Sequence, residues 1–371
     1  MIKTIRDIDF SGKVALIRCD FNVPFNDLGE IADDFRIRES IPTINYVLDQ
    51  GGRVLLVTHI KKSVKLIIPL LEDILQRKVN LVKDNIVNGD VSILENVRSF
   101  EGEVENDDVF AQKLASMADI YVNEAFSVSH RAHASVAKTP LLMPSCVGFL
   151  FEKEIKVLSK VKDNPWKPLV VIIGGAKVPS KVKVIKAFLE KADHILLGGK
   201  VANEILVVKG ISVNKPWPKE DVVSEIETID LTSTKLHLPI DVKLSNSEGS
   251  LNKIDAPGVV KNEEEIYDIG PETIKIYSDI IAEASMIVWA GPLGFFEKKE
   301  FELGTKEIAL AIARNNKAFK VIGGGDTGVA ITKFNIKKKV DHISTGGGAM
   351  LDFLANKELP GLKALKYYDQ D

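Results

Sequence analysis

The residues with the clearest chemical potential lie at the ends of apolar runs. In "GGAKVPSK" (174–181), Lys177 and Lys181 follow a glycine pair. Four residues apart, they share one face of any helix that starts there. Free N–H groups at such a helix start, with two ammonium groups, suit a phosphate. The spacing is not that of the P-loop, and a plain turn before a surface helix is the competing reading. "IGGGDTG" (322–328) and "STGGGA" (344–349) also close apolar runs. Their glycines permit close backbone approach to a ligand, or serve only sheet–helix packing. By spacing, Gly323, Gly325 and Gly328 fit the dinucleotide fingerprint. The motif lies late in the chain, however, and Asp341 opens the next apolar run where the fingerprint wants an acid at its end. Asp326 inside that turn would repel a phosphate unless a Mg²⁺ ion lies between the carboxylate and the phosphate oxygens.

The first half offers different groups. "RCDFNVP" (18–24) sets Asp20 and Asn22 two apart, on one side of an extended chain. They suit a hydroxyl and a carboxylate, or else hold a turn before Pro24. His59 ends another apolar run, and Arg36, Arg98 and Arg131 are candidate partners for an anion. Arg131 presents a planar fork for carboxylate or phosphate; each arginine alone is equally a surface or ion-paired residue. His130 and His133 in "HRAH" lack a cysteine or acid at ligand spacing, which argues against a metal site.

These groups need elements to position them. Short Val/Ile/Leu-rich runs recur at 14–20, 53–59, 91–98, 119–126, 169–175, 194–199, 286–292, 319–325 and 342–348, alternating with helical patterns. Such runs predict parallel strands buried on both faces, with ligands beyond their carboxyl ends. A helical period over 149–163 stops at "NPWKP" (164–168), which marks a boundary. "IKKKV" (336–340) reads as a solvated turn. The two halves end their strands differently, so they are expected to bind different ligands.

The bulk numbers set the frame. A chain of 371 residues, 45% hydrophobic and 27% charged, predicts more than one globular domain. A net charge of −3 provides no global field for nucleic acid or anionic membrane, so an acidic ligand needs a local basic cluster. Two cysteines, Cys19 and Cys146, give no disulfide framework. "MIKTIRDIDF" contains neither an apolar leader core nor a membrane span, so the expectation is a soluble cytoplasmic protein.

Taken together, "RCDFNVP", "ILENVRSF", "ADIYVNEAF", "HRAH", "GFLFEKEI", "GGAKV", "DIGPETI", "GPLGFFE", "VIGGGDT", "HISTGGGA" and "KELPGLKAL" resemble the phosphoglycerate kinase family. They occur in its order and spacing, over essentially the whole chain. The resemblance implies an α/β fold of two Rossmann-like three-layer domains with parallel sheets. Residues 1–150 would bind phosphoglycerate, 151–165 form the hinge helix, 166–350 bind Mg-nucleotide, and 351–371 return to the first domain. The implied reaction is reversible phosphoryl transfer between 1,3-bisphosphoglycerate and ADP, giving 3-phosphoglycerate and ATP, with Mg²⁺ as cofactor, in a monomer. Residue by residue, the resemblance assigns Asp20, Asn22, Arg36, His59, Arg98 and Arg131 to the glycerate and its distal phosphate. It assigns Lys181, Gly198, Gly199 and Glu297 to the nucleotide, and Gly324, Gly325, Asp326 and Thr327 to its phosphates, Asp326 acting through Mg²⁺. Arg36 and Lys177 would stabilise the phosphoryl group in flight, helped by amides near Gly347 and Gly348. A carboxylate acceptor is already ionised, so no catalytic base is required, and ligands held on two domains imply a closing motion.

Three stretches depart from the family's pattern. Its "SHLGRP" is replaced by "THIKKSVKL" (58–66), with Lys62 in place of the arginine and a short following loop. Lys62 joins the substrate set on that alignment. The family's "GGAKVxDK" carries Pro179 and Ser180 here, and its "WNGP" is "WAGP", with Ala290 near the nucleotide sugar. These changes bear on affinity and nucleotide preference. Two rivals remain on sequence: an NAD-dependent oxidoreductase, which leaves the basic residues of the first half unexplained, and a non-catalytic binding protein of the same fold.

Overall fold

The structure is a computed structural model that describes residues 2–83, 88–212, 217–246, 252–261 and 263–369. It divides into two compact units: Met1–Val157 with Glu358–Asp371, and Leu158–Lys357.

The first unit is built on six parallel strands: β1 (Val14–Arg18), β2 (Arg53–Val57), β3 (Val79–Val82), β4 (Val91–Leu94), β5 (Ile120–Asn123) and β6 (Ser145–Val147). Their order is β3-β4-β2-β1-β5-β6. Alternate residues feed two separate cores, as the period-2 geometry of a strand requires. Ala15, Ile17, Val54 and Leu56 pack on one face; Val14, Leu16, Leu55 and Val57 pack on the other. Each buried aliphatic side chain contributes about 1.5–3 kcal/mol, which is why these runs carry almost no polar residue.

The second unit has six parallel strands in the order β15-β14-β13-β7-β8-β9 and a three-stranded antiparallel sheet in the order β11-β10-β12. The parallel strands are β7 (Leu169–Ile173), β8 (His194–Leu197), β9 (Leu236–His237), β13 (Met286–Ala290), β14 (Phe319–Gly323) and β15 (His342–Ser344). The small sheet comprises β10 (Val242–Ser245), β11 (Lys253–Asp255) and β12 (Glu265–Ile269). Val170, Ile172, Leu196, Ile287, Trp289 and Ile322 line one face of the parallel sheet.

All nine apolar runs read from the sequence contain strands. β3, β6, β9 and the antiparallel sheet had not been anticipated. β3 is "VNLV", interrupted by a polar residue; β6 and β9 span only 145–147 and 236–237; β11 is half exposed. None has a run long enough to stand out. The helix expected over 149–163 is observed as Phe149–Asp163. Phe151, Ile155 and Leu158 recur on its buried stripe, and Asn164-Pro165 ends it. The division between the units falls within this helix, between Val157 and Leu158. The short helix Pro360–Ala364 packs on residues Ala134–Lys138 of the first unit, and Gly361 N–H donates to the Ser129 carbonyl at 2.9 Å. "IKKKV" contains an exposed 3₁₀ turn, Lys337–Lys339. Among the described residues, no helix is long and apolar enough to cross a membrane.

Candidate active site

In the first unit, the order β4-β2-β1-β5 sets four strand ends side by side. Arg98 follows β4, His59 follows β2, Asp20 follows β1, and Arg131 lies in the segment after β5. Asp20 is the hub. It is buried, and Arg36 Nη1 and Ser127 Oγ both donate to its Oδ2. The Asn22 N–H donates to Oδ1 at 3.1 Å. Burial opposes the charge, but Arg36 and the two hydrogen-bond donors prevail and hold the carboxyl below the usual carboxylate range. The His59 ring approaches Asp20 Oδ1 at 3.7 Å. Burial nevertheless drives that imidazole down to about 3, with Arg18, Arg98 and Arg36 adding to the effect and Asp20 opposing it. His59 is therefore neutral at pH 7, and Arg36 is the group that neutralises Asp20.

The turn reading of "RCDFNVP" is realised: Asp20 accepts from Asn22, and Asn22 Oδ1 accepts from the Lys61 N–H at 3.1 Å. This fixes both side chains and leaves the Asn22 amide NH₂ available to donate. Arg98 and Arg131 are exposed, and each repels the other's charge. Burial and then Arg131 lower the Arg98 pKa, and neither guanidinium forms an ion pair with a carboxylate among the described residues. Asp20 and Glu103 offset this repulsion in part, and exposed like charges of this kind suit an anion.

Sequence reading missed Arg18, the last residue of β1. It is fully buried; Nε donates to Ser135 Oγ at 2.8 Å, and Nη1 to the Cys19 carbonyl. Ser135 Oγ passes the bond to Glu103 at 2.7 Å. An arginine closing a buried strand was the signal. Two other residues resolve as structural. Glu124 at the end of β5 turns onto the N-terminus of helix Phe149–Asp163, accepting from Leu150 N–H at 3.1 Å, and burial pushes its carboxyl up to about 8. His133 sits 3.7 Å from Glu103 and is held down to about 4 by burial and the neighbouring arginines. Among the described residues, no three histidines, cysteines or acids gather in a metal-binding group. Lys62 is exposed, with its ammonium 4.9 Å above the Phe25 ring.

In the second unit, helices start directly after β7, β8, β14 and β15: Val178–Leu189, Gly199–Val208, Gly325–Lys333 and Gly347–Leu354. Their N-terminal N–H groups lie at the same edge of one sheet. Backbone crowding explains the glycines. Gly324 has φ +104°, and a Cβ on Gly347 would lie 2.8 Å from the Gly324 Cα. Gly198 is buried against Leu293, while Gly325 and Gly348 lie open in the first turns of their helices. Thr327 is buried, and its hydroxyl accepts from the Gly291 N–H at 2.7 Å, tying the Gly291 loop to the Gly324 turn.

Lys181 is buried and donates to the Ala290 carbonyl at 2.8 Å. Burial lowers its pKa to about 8, with Asp326 opposing and Lys177 assisting. Ala290 thus contributes its carbonyl, and its side chain is buried. Lys177 and Asp326 are exposed. A cavity of about 420 Å³ begins at Gly175, Gly199 and Asp326 and follows the helix Gly199–Val208 to Val207. That path is about 12 Å at 1.5 Å per residue. Its far walls are apolar, with Val207, Ile266, Tyr267 and Phe295, and Glu297 also borders it. Lys177, Lys181, Gly324, Gly325, Thr327, Gly347 and Gly348 do not line this cavity. Asp326, the one carboxylate in the first turn of helix Gly325–Lys333, fits a Mg²⁺ that brings phosphates with it, since that ion is commonly held by one or two carboxylates plus substrate oxygens.

An edge of helix N-termini and lysines beside an apolar slot in one unit, and a cluster of arginines in the other, is the arrangement a nucleotide and a small anionic substrate would need. The family described as phosphoglycerate kinase matches residues 5–357. The chain belongs to the phosphoglycerate kinase family. The phosphoglycerate kinase of Thermosipho africanus is 42% identical, with 98% of this chain and 97% of that protein covered. That of Borrelia turicatae is 39% identical, covering 98% and 99%. Solved structures of phosphoglycerate kinases from Coxiella burnetii and Pyrococcus horikoshii OT3 cover all of both chains, at TM-scores of 0.85 and 0.86 and identities of 34% and 32%. Membership in this family disfavours the oxidoreductase reading of the glycine fingerprint. The cavity walls Tyr267 and Phe295 had escaped the sequence reading, because isolated aromatics beside a short antiparallel strand carry no spacing signal.

Proposed function

We propose that the chain catalyses reversible phosphoryl transfer between 1,3-bisphosphoglycerate and ADP, giving 3-phosphoglycerate and ATP. It is a phosphotransferase with a carboxyl group as acceptor. One observation carries the reading: the first-unit cluster is rich in positive charge and has no free base. His59 is neutral yet hard to protonate, and Asp20 is committed to Arg36 and Ser127. Such a site suits an acceptor that is already ionised and needs only charge neutralisation and orientation.

Arg98 and Arg131 take the distal phosphate. Asp20, Asn22 and His59 orient the glycerate hydroxyl and carboxylate, and Arg36 offsets charge at the reacting end. In the second unit, Lys177, Lys181 and the amides at Gly324–Thr327 and Gly347–Gly348 hold the nucleotide phosphates, with Gly198, Gly199 and Glu297 along the rest of the nucleotide. Mg²⁺, held at Asp326 together with the phosphates, supplies additional neutralisation of their charge. On this reading the protein is a monomer in the cytoplasm, and two buried, unpaired cysteines are in keeping with a reducing compartment.

A coupled assay with 3-phosphoglycerate and Mg-ATP tests the reaction. Turnover that requires both substrates and Mg²⁺ is expected. Nucleotide and 3-phosphoglycerate binding without turnover would instead identify a non-catalytic binding protein.

A further inference from the structure

One pair of charged residues on the cavity wall, Lys200 and Glu204, lies outside the groups proposed to hold phosphates. Glu204 lies in the second turn of helix Gly199–Val208, midway between the phosphate end and the apolar end. Its side chain is 12% exposed, and Oε2 is buried without a hydrogen-bond partner. Its other oxygen, Oε1, faces the Lys200 ammonium at 3.5 Å. Lys200 is exposed and also lines the cavity. A buried carboxylate oxygen without a donor is unfavourable and is relieved by any ligand N–H that reaches it after a small side-chain rotation. The adjacent Asn203 donates its Nδ2 to the Ile266 carbonyl at 3.1 Å, which ties this helix to β12.

This arrangement has a defined hydrogen-bonding pattern. Lys200 offers donors only, and an ionised Glu204 offers acceptors only. In that order the pair presents a donor followed by an acceptor, the Oε2 that is still unsatisfied. Guanine presents the complement along one edge: the O6 acceptor, then the N1–H and N2–H₂ donors. Adenine presents an N6–H₂ donor where the lysine stands and the N1 acceptor where the carboxylate stands. Both of its contacts oppose like against like. The apolar walls Val207, Tyr267 and Phe295 suit the faces of either purine and do not discriminate.

We propose that Lys200 and Glu204 read the edge of the nucleotide base and that the protein uses guanine nucleotides at least as well as adenine nucleotides. This assignment rests on the proposed phosphoryl-transfer reading, whose nucleotide site it refines. Sites built to pair with polar groups reject analogues that leave those groups unpaired far better than apolar pockets reject shape variants.

The test compares kcat/KM for Mg-GTP, Mg-ITP and Mg-ATP with 3-phosphoglycerate, alongside calorimetric binding of GDP and ADP. GTP is expected to match or exceed ATP. ITP, which keeps O6 and N1–H, should follow GTP. Glu204→Gln replaces one acceptor with a donor and should lower the GTP-to-ATP ratio by about tenfold. Lys200→Ala removes an exposed side chain without disturbing the core and should lower the ratio in the same direction. A natural protein that favours ATP over GTP, or a ratio unmoved in both variants, overturns the base-reading assignment. Absence of turnover with every nucleotide would instead sink the phosphoryl-transfer reading, and the GDP-to-ADP binding ratio in the two variants would still decide the role of the pair.

Discussion

The two units offer an anion different surroundings. The first offers side chains: Arg18, Arg98 and Arg131 at or after the ends of β1, β4 and β5, and Arg36, with Arg18 held by Ser135 and Arg36 by Asp20. The second uses mainly backbone: four helix N-termini at the carboxyl ends of β7, β8, β14 and β15, with glycines where another residue's Cβ would collide. Arginine forks recognise a particular arrangement of charges. Backbone amides accept any phosphate that fits and leave discrimination to the rest of the ligand. On the proposed reading, the first unit selects its substrate at the phosphates and the carboxylate, and the second must select at the base.

The largest effect is expected where the backbone site relies on one side chain. Asp326 is the only carboxylate in the first turn of helix Gly325–Lys333. Asp326→Asn keeps the shape but removes the charge that fits Mg²⁺. Loss of several kcal/mol of transition-state stabilisation is expected, with nucleotide kinetics impaired and 3-phosphoglycerate binding spared. Steady-state kinetics across a Mg²⁺ titration, with calorimetry for 3-phosphoglycerate, checks this. Unchanged activity with unchanged Mg²⁺ dependence would mean that the backbone suffices.

The next effect separates two cations of the first unit. Arg131 lies beside Arg98 without a carboxylate partner, whereas the Lys62 ammonium rests over Phe25. Arg131→Ala should weaken transition-state stabilisation with 3-phosphoglycerate by about 1.5–3 kcal/mol, the range for hydrogen bonds to charged groups. Lys62→Ala should change it by less than about 1 kcal/mol, since its visible contact is an exposed cation–π pair. Equal losses in the two variants, measured at low salt, would return Lys62 to the substrate set on equal terms. A silent Lys62→Ala would make it a surface lysine.

Much of this layout was legible in the sequence, for physical reasons that also explain the gaps. Parallel strands buried on both faces must be apolar throughout, so "VALIR" and "LVVII" announced themselves. Glycine turns did the same, because few other residues survive such close backbone approach. "NPWKP" ended a helix as proline must. The candidate site residues Asp20, His59, Lys181 and Asp326 could be listed because each closes or follows such a run. What stayed hidden depends on partners distant in sequence. Glu124 is one more polar residue after an apolar run, and only the fold reveals that it caps a helix beginning at Phe149. The Lys200–Glu204 pair looks like any solvated i,i+4 ion pair until the cavity beside it is seen. Arg18 is invisible as a cluster member without the Ser135–Glu103 relay.

The smallest effect tests the electrostatics of the side-chain site directly. His59 is kept neutral by burial and by the arginines around it, down to a pKa of about 3 against an ordinary value of 6.5. Above pH 6.5 neither the folded nor the unfolded state protonates this ring, so it adds no pH dependence there. Between 6.5 and about 3 the unfolded chain takes up the proton and the folded protein does not, so His59 lowers stability as the pH falls. The penalty levels off below the folded pKa. His59→Gln removes this titration while keeping a polar side chain. The stability difference between the natural protein and the variant should shift in the variant's favour by about 1 kcal/mol between pH 6.5 and 5.5. His133, which is also depressed, titrates in both proteins and cancels in the comparison. Urea unfolding at a series of pH values reads the difference. A saturating anion such as 3-phosphoglycerate should shrink the shift, because it offsets the arginine charges that hold His59 neutral. A pH-independent difference would mean that His59 protonates with ordinary ease, and the arginine cluster would then exert too little field to select an anionic substrate by charge.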